Sequence, residues 1–249
     1  DSPISVTVPG AVAGWIELSK KYSNLKIEEI LDLGIELCHE GFEINEELYN
    51  SLNLHKEELS GQASGYGFYR DNQPFETGKM IRRPQLGKTL ELLKRNGLEY
   101  FYDSDITKSI SSSVNGILSF DDLKNFKAEW KKPLHSKIYG FDGWTSPPST
   151  QGYLTLSTLK AIEMLGTEHD DIHRVIETYR IFAADRDNIT YDYGKNIKDF
   201  KGVDLDYIQE KIKLFNPNHS EKFDFPIPHG GGTAYMNTID KNGLGVSLI

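Results

Sequence analysis

Apolar residues recur every third or fourth position through most of this chain, and only near its end does the pattern give way to short extended runs. Val6-Thr7-Val8 reads as a short strand stopped at Pro9-Gly10, and Ala11 to Tyr22 follows as a helix. From Leu25 to Gly41 the pattern is clearer. Ile27, Ile30, Leu31, Ile35 and Cys38 fall on one helical face, and Gly41 suits a left-handed cap after the last turn. Residues 60–80, rich in Gly, Gln, Ser and aromatics, read as a loop. Pro84 then opens a helix, where its missing N–H costs nothing; Leu86, Leu90 and Leu93 make its stripe and Gly97 closes it. A further helix is predicted for Asp103 to Val114, and Ser119 with Asp122 resembles a capping box.

Lys137 to Thr145 reads as extended and ends before Pro147-Pro148. Helices are predicted for Tyr153 to Leu165, Asp170 to Asp185 and, more briefly, Leu205 to Phe215. Residues 216–232, with their prolines and glycine triplet, read as an exposed, flexible loop. Ala234 to Ile239 and Leu244 to Ile249 flank Asp240-Lys241-Asn242-Gly243, and Asn-Gly between extended runs signals a β-hairpin. The expected class is therefore α+β: a largely helical body, a loop and a terminal hairpin. A lone hairpin is marginal in water, so the sheet it joins is expected to come from chain beyond this sequence.

Composition narrows the function classes. The net charge of -9 removes the basic footprint of a nucleic-acid binder. No apolar run reaches membrane-spanning length and no signal peptide is visible; because the first residue is Asp1, the start reads as processed, trimmed or excised. The single cysteine, Cys38, rules out an internal disulfide and lies in an apolar stripe without basic neighbours, so it reads as a core filler.

The chemistry centres on Thr233, which follows Gly230-Gly231-Gly232 and precedes an extended run. A threonine hydroxyl needs a base, and the α-amine of a chain-initial threonine can serve as one. Its reference pKa of about 7.7–8.0 suits neutral pH. Within an intact chain that nitrogen is an amide, so the chemistry requires scission of the Gly232–Thr233 bond. The same hydroxyl can attack the Gly232 carbonyl, and glycine at 232 leaves the backbone free to bring the two together. On local sequence alone, a glycine linker entering an edge strand is the plainer reading.

Eight segments in order alter that balance. Val6 to Trp15 resembles the VPG-x-x-x-G segment of the gamma-glutamyltransferase family, and Pro84 to Leu90 its P-x-L-A-x-T-L helix start. Gly97 with Phe101-Tyr102 and Ile106 is similar to G-x-x-x-FY-x-x-x-I, and Ser119 to Leu123 to T-x-E-D-L. Tyr139-Gly140, Pro147 to Gly152 and Ala183-Ala184-Asp185-Arg186 resemble Y-x-G, PPSSGG and A-x-A-D-R. Thr233 to Gly243 resembles TTH-x-S-V-x-D-x-x-G, where the family's small subunit begins.

The resemblance implies the αββα sandwich of N-terminal-nucleophile hydrolases. This chain would supply the mainly helical later part of the large subunit (1–232) and the first hairpin of the small subunit (233–249). It further implies autocatalytic maturation at Gly232 and Thr233, Thr233 as the catalytic nucleophile, and acyl transfer from a small-molecule amide or gamma-glutamyl substrate to water or an amine. The partners implied are the large and small subunits cut from one precursor, with higher oligomers open. No metal or organic cofactor is implied. A substrate-clamping arginine would lie before Asp1, and the oxyanion-hole residues after Ile249. Thr233-Ala234-Tyr235 replaces Thr-Thr-His, PPSTQG replaces PPSSGG, and Tyr191-Asp192-Tyr193 stands where an aspartate-proline pair is expected. These variants look more like the divergent branch with amidohydrolases and cephalosporin-acylase-type enzymes. A non-catalytic scaffold on the same fold is the alternative, and a plain helical domain with an added hairpin the third reading.

Other signals are read structurally. His169 and His173 share a helical spacing but lack the glutamate of a zinc-protease motif, and their acidic neighbours favour a solvated face. Gly65-Tyr66-Gly67 lacks the third glycine of a phosphate loop and reads as a mobile segment. Asp185 and Arg186 read as a structural ion pair or cap. Asn188-Ile189-Thr190 and Asn218-His219-Ser220 match glycosylation sequons, which bear only on a eukaryotic secreted protein.

Overall fold

The three-and-four spacing of the first hundred residues is realised as helices around an apolar stripe in the computed structural model, which describes residues 6–62, 65, 67–166, 171–223 and 234–249. The chain divides into two units, Asp1–Glu129 and Trp130–Ile249. The expected subunit junction at 232/233 falls inside the second and outside the described residues.

The first unit runs α1 (Ala11–Tyr22), α2 (Ile27–Glu40), β1 (Phe42–Glu43), α3 (Glu46–Leu54), α4 (Lys56–Leu59), β2 (Tyr69–Arg70), β3 (Gln73–Pro74), β4 (Met80–Ile81), α5 (Pro84–Asn96), a 3-10 turn (Leu98–Phe101), α6 (Asp105–Ser113) and α7 (Phe120–Asn125). Val12, Ala13 and Ile16 of α1, Leu31 of α2, Leu93 of α5 and Tyr102 share one core. Cys38 is buried, as its place in the α2 stripe predicts. Gly87 is where α5 comes against α2: a Cβ there would lie 3.1 Å from that of Cys38. At the start of α1, Gly10 offers no side-chain cap. The Tyr102 hydroxyl supplies one, accepting from Ala13 N at 3.0 Å and donating to Pro9 O at 2.6 Å.

Three readings of this half need correction, the first that residues 6–8 form no strand. Gly41 has a positive φ (99°), but its ψ of 174° is extended rather than left-handed helical. The chain leaves α2 directly into β1, whose Phe42 pairs with Ile81 of β4. Residues 60–80 are not wholly loop, because β2 and β3 form a small hairpin whose turn places Asp71 and Asn72 at φ 51° and 59°. The capping box at Ser119 is present: Ser119 Oγ accepts from Asp122 N at 3.1 Å, and Asp122 Oδ2 accepts from Ser119 N at 2.9 Å. The Ser119 hydroxyl, which donates to Asp122 Oδ2 at 2.7 Å, and the Ser119 N–H hold the Asp122 carboxyl below its usual range.

The second unit runs β5 (Leu134–Ile138), β6 (Phe141–Thr145), α8 (Tyr153–Leu165), α9 (Ile172–Ala184), α10 (Arg186–Ile189), a 3-10 segment (Gly194–Asp199), α11 (Leu205–Ile212), β7 (Met236–Ile239) and β8 (Gly245–Leu248). The extended run Lys137–Thr145 is thus part of an antiparallel pair that turns at Tyr139-Gly140, both with positive φ. α8 holds that turn. Lys160 Nζ donates to Lys137 O at 2.9 Å, and Glu163 Oε1 accepts from Tyr139 N at 2.7 Å. Tyr153, Leu154, Ala161, Phe182, Phe200 and Ile208 form the core. Among the described residues the strands pair only two by two.

The terminal hairpin forms where the Asn-Gly signal places it. Asp240 N donates to Leu244 O at 3.0 Å, and Gly243, at φ 87°, closes the three-residue loop between them. Asp240 Oδ1 accepts from Leu244 N at 2.9 Å and Asn242 N at 2.8 Å, which keeps its carboxyl well ionised.

Candidate functional site

Gly232 and Thr233, the pair on which the expected chemistry rests, lie outside the described residues, as do the rest of the glycine triplet, Tyr66 and His169. The described chain reaches Phe223 and resumes at Ala234, two residues before β7 begins. From the loop side, Tyr235 lies with its hydroxyl 3.3 Å from Ser247 Oγ, linking the entry to β7 with β8. On the other side, the approach to the junction is held against α9 from Phe215 to Phe223.

That approach is built as follows. Asp171 caps α9 by accepting from Arg174 N at 3.0 Å. His173 Nε2 lies 3.1 Å from Asn216 O, so this histidine is engaged with main chain. Arg174 lies over the Phe215 ring at 5.7 Å. One and two turns further on, Glu177 and Arg180 form an ion pair. Glu177 Oε2 accepts from Glu221 N at 3.1 Å, and Arg180 Nη2 donates to Glu221 O at 3.0 Å. Burial pushes the Glu177 carboxyl upward. The hydrogen bonds from Arg180, Glu221 N and Ser220 outweigh it and hold the group below the usual range.

Asp185 and Arg186 do not pair with each other. Asp185 Oδ2 meets Lys211 Nζ at 2.9 Å and accepts from Tyr207 Oη at 3.1 Å, while Oδ1 accepts from Asn188 Nδ2 at 3.1 Å. Arg186 pairs with Asp187 at 2.7 Å. Asp185 thus ties the α9–α10 joint to α11, a structural role as expected, with Lys211 as partner. Burial raises the Asp185 carboxyl, but Lys211 and the two hydrogen bonds bring it below its ordinary range. Burial first, and then the same carboxylate, pushes the Tyr207 hydroxyl far up, so it stays a donor. Asn188, the first sequon residue, spends its amide on this network.

Among the described residues no group of three His, Cys, Asp or Glu side chains could hold a metal ion, and no helix is long and apolar enough to cross a membrane. The sequence did not reveal the Glu177–Arg180 grip on Glu221. Its partner is main chain more than forty residues away, for which no sequence spacing stands as a sign.

Comparison with known proteins bears on the whole chain. The family model described as "Gamma-glutamyltranspeptidase" matches residues 1–249. The capsule biosynthesis protein CapD proenzyme of Bacillus anthracis is 30% identical over 246 residues, covering 97% of this chain and 46% of the relative. The glutathione hydrolase-like YwrD proenzyme of Bacillus subtilis (strain 168) is 26% identical over 261 residues, covering 98% and 48%. The chain therefore spans about half the length of these relatives. The crystal structure of Helicobacter pylori gamma-glutamyltranspeptidase superposes with a TM-score of 0.77 at 24% identity, over 89% of this chain and 67% of that one, a likeness of fold.

Proposed function

This chain belongs to the gamma-glutamyltranspeptidase family, and we propose on that premise that it is part of an autoprocessed N-terminal threonine amidohydrolase or acyltransferase whose nucleophile is Thr233. The observation that carries the reading is the family match across all 249 residues. Within it, Thr233 stands two residues upstream of Tyr235, at the entry to β7.

Maturation begins when Thr233 Oγ attacks the Gly232 carbonyl carbon. The C–N bond breaks as an ester forms, and the Thr233 nitrogen takes up a proton to become an amine. Water then hydrolyses the ester, leaving a carboxylate on Gly232 and a chain that starts at Thr233. In turnover the freed amine accepts the Oγ proton as the oxygen attacks a substrate amide carbonyl. The leaving amine departs with a proton, and water or an acceptor amine releases the acyl group. The substrate class is a gamma-glutamyl or similar small amide. The name of the YwrD relative, glutathione hydrolase-like, supports this class, and the word proenzyme in both relatives' names supports the maturation step. Residues 1–232 would close the large subunit and 233–249 open the small one, the two remaining together.

Intact mass spectrometry of the full-length protein tests the reading. Wild type should give two polypeptides, the smaller beginning at Thr233, and Thr233→Ala should stay whole. An uncut wild type that still turns over a gamma-glutamyl anilide would overturn it. A second reading, a non-catalytic scaffold, is favoured by Ala234-Tyr235 in place of Thr-His. It predicts no cleavage and no turnover.

A further inference from the structure

The main chain at Glu221 is held at both of its polar atoms by one ion pair. Glu177 takes its N–H and Arg180 its C=O, as two groups of a neighbouring strand would. Glu177 is 2% exposed, yet it is a carboxylate. A buried ion pair is weak evidence for stability, since an apolar pair of the same shape often serves as well. Its value here is direction, because two hydrogen bonds of opposite sense, one to each peptide unit flanking the Glu221 Cα, fix both the position and the orientation of that residue's main chain. The Arg180 guanidinium also lies 5.6 Å from the Phe223 ring, which extends the hold two residues further. Nothing in this grip reads the Glu221 side chain, whose nearest ion-pair partner is His219 at 3.7 Å.

We propose that Glu177 and Arg180 are positioning residues for self-cleavage: they anchor the chain at Glu221, eleven residues before Gly232, and so restrict where the Gly232–Thr233 bond can dock to be cut. The inference rests on the reading of Thr233 as a processing nucleophile. The anchor touches no reacting atom. It acts by fixing the described chain that leads toward the scissile bond, and a misplacement of about 1 Å caused far from the chemistry costs on the order of a hundredfold in rate.

The test follows cleavage of the purified full-length precursor over time by intact mass. Three variants separate the roles. Glu177→Gln with Arg180→Met removes both charges together, so neither is left buried alone. Glu221→Pro deletes the N–H that Glu177 accepts. Glu221→Ala keeps the main-chain bonds. The first two should cleave at least about tenfold more slowly, with melting temperatures close to wild type. Glu221→Ala should cleave at the wild-type rate. In the uncut Thr233→Ala background, the Glu221 amide should be protected from hydrogen exchange and lose that protection in the double variant. Cleavage of the double variant and Glu221→Pro at the wild-type rate, or equal slowing by Glu221→Ala, overturns the anchor while leaving Thr233 as nucleophile. A wild type that never cleaves overturns the reading of Thr233, and the anchor's role in processing with it. If the double variant melts far below wild type, Glu221→Pro, which leaves α9 intact, decides.

Discussion

At the scale of single residues, Tyr102 shows how a side chain remote in sequence completes a local element. A helix leaves its first amides without partners, and a glycine at the N-cap cannot supply one. The hydroxyl of Tyr102, 6% exposed, takes one of these amides at Ala13 and returns its own proton to Pro9 O. Tyr102→Phe keeps the ring and removes both bonds. It should lower stability by about 1–2 kcal/mol in urea denaturation, with an unchanged slope against denaturant. Phe101-Tyr102 was legible as part of a family-like run, but its purpose was not. A motif shows that residues occur together in order, whereas the capping of α1 depends on contacts across 89 positions. The expectation at Thr233 likewise rests on the order of segments around it, and the described residues do not reach it. Glu177 and Arg180 were not legible, since they bind a main-chain N–H and C=O, which almost any residue can present.

At the scale of elements, sequence periodicity located the helices whose apolar stripe is long. Ala11–Tyr22, Pro84–Asn96 and Tyr153–Leu165 match their expected bounds, and α2 differs from its own by one residue or two. α3 went unread because its apolar face is only Leu48, Tyr49 and Leu52 amid polar residues, although Asn45 caps it by accepting from Leu48 N at 2.8 Å. The short strands β1 to β4 escaped because two residues leave no alternation to read. Their positions depend on joints such as Gly41. A Cβ there would lie 2.6 Å from Ile81 O, a backbone atom that cannot swing aside, and φ is already 99°. Gly41→Ala should therefore cost about 2 kcal/mol or more, against the small gain that alanine usually brings in a helix. Comparing thermal unfolding of this variant with Gly61→Ala, where a Cβ meets nothing within 4 Å, isolates the clash.

At the scale of the whole molecule, two units with separate cores carry the family match from end to end. Their response to pH should differ from that of an average acidic protein. Asp185 and Glu177 both have folded-state values below their ordinary ones. Their contribution is complete above the ordinary carboxylate range and is lost as pH falls below about 4. Tyr193 is pushed up to about 12, by burial and by its neighbour Tyr191, and Tyr207 is raised as well. A raised value stabilises below the unfolded value of about 10 and is lost as pH climbs through the folded one. Stability measured by denaturation should thus be level across neutral pH and fall at both extremes, and Asp185→Asn should flatten the acid limb. An acid limb unchanged in Asp185→Asn would place that proton uptake elsewhere. The bond from Tyr102 to Ala13 also carries a consequence in time. A ribosome adding about 5–20 residues per second needs roughly 5–20 s to make the 89 positions between them. Throughout that interval the Ala13 amide has only water as a partner, so the first turn gains its cap late, when the tyrosine has emerged and folded back.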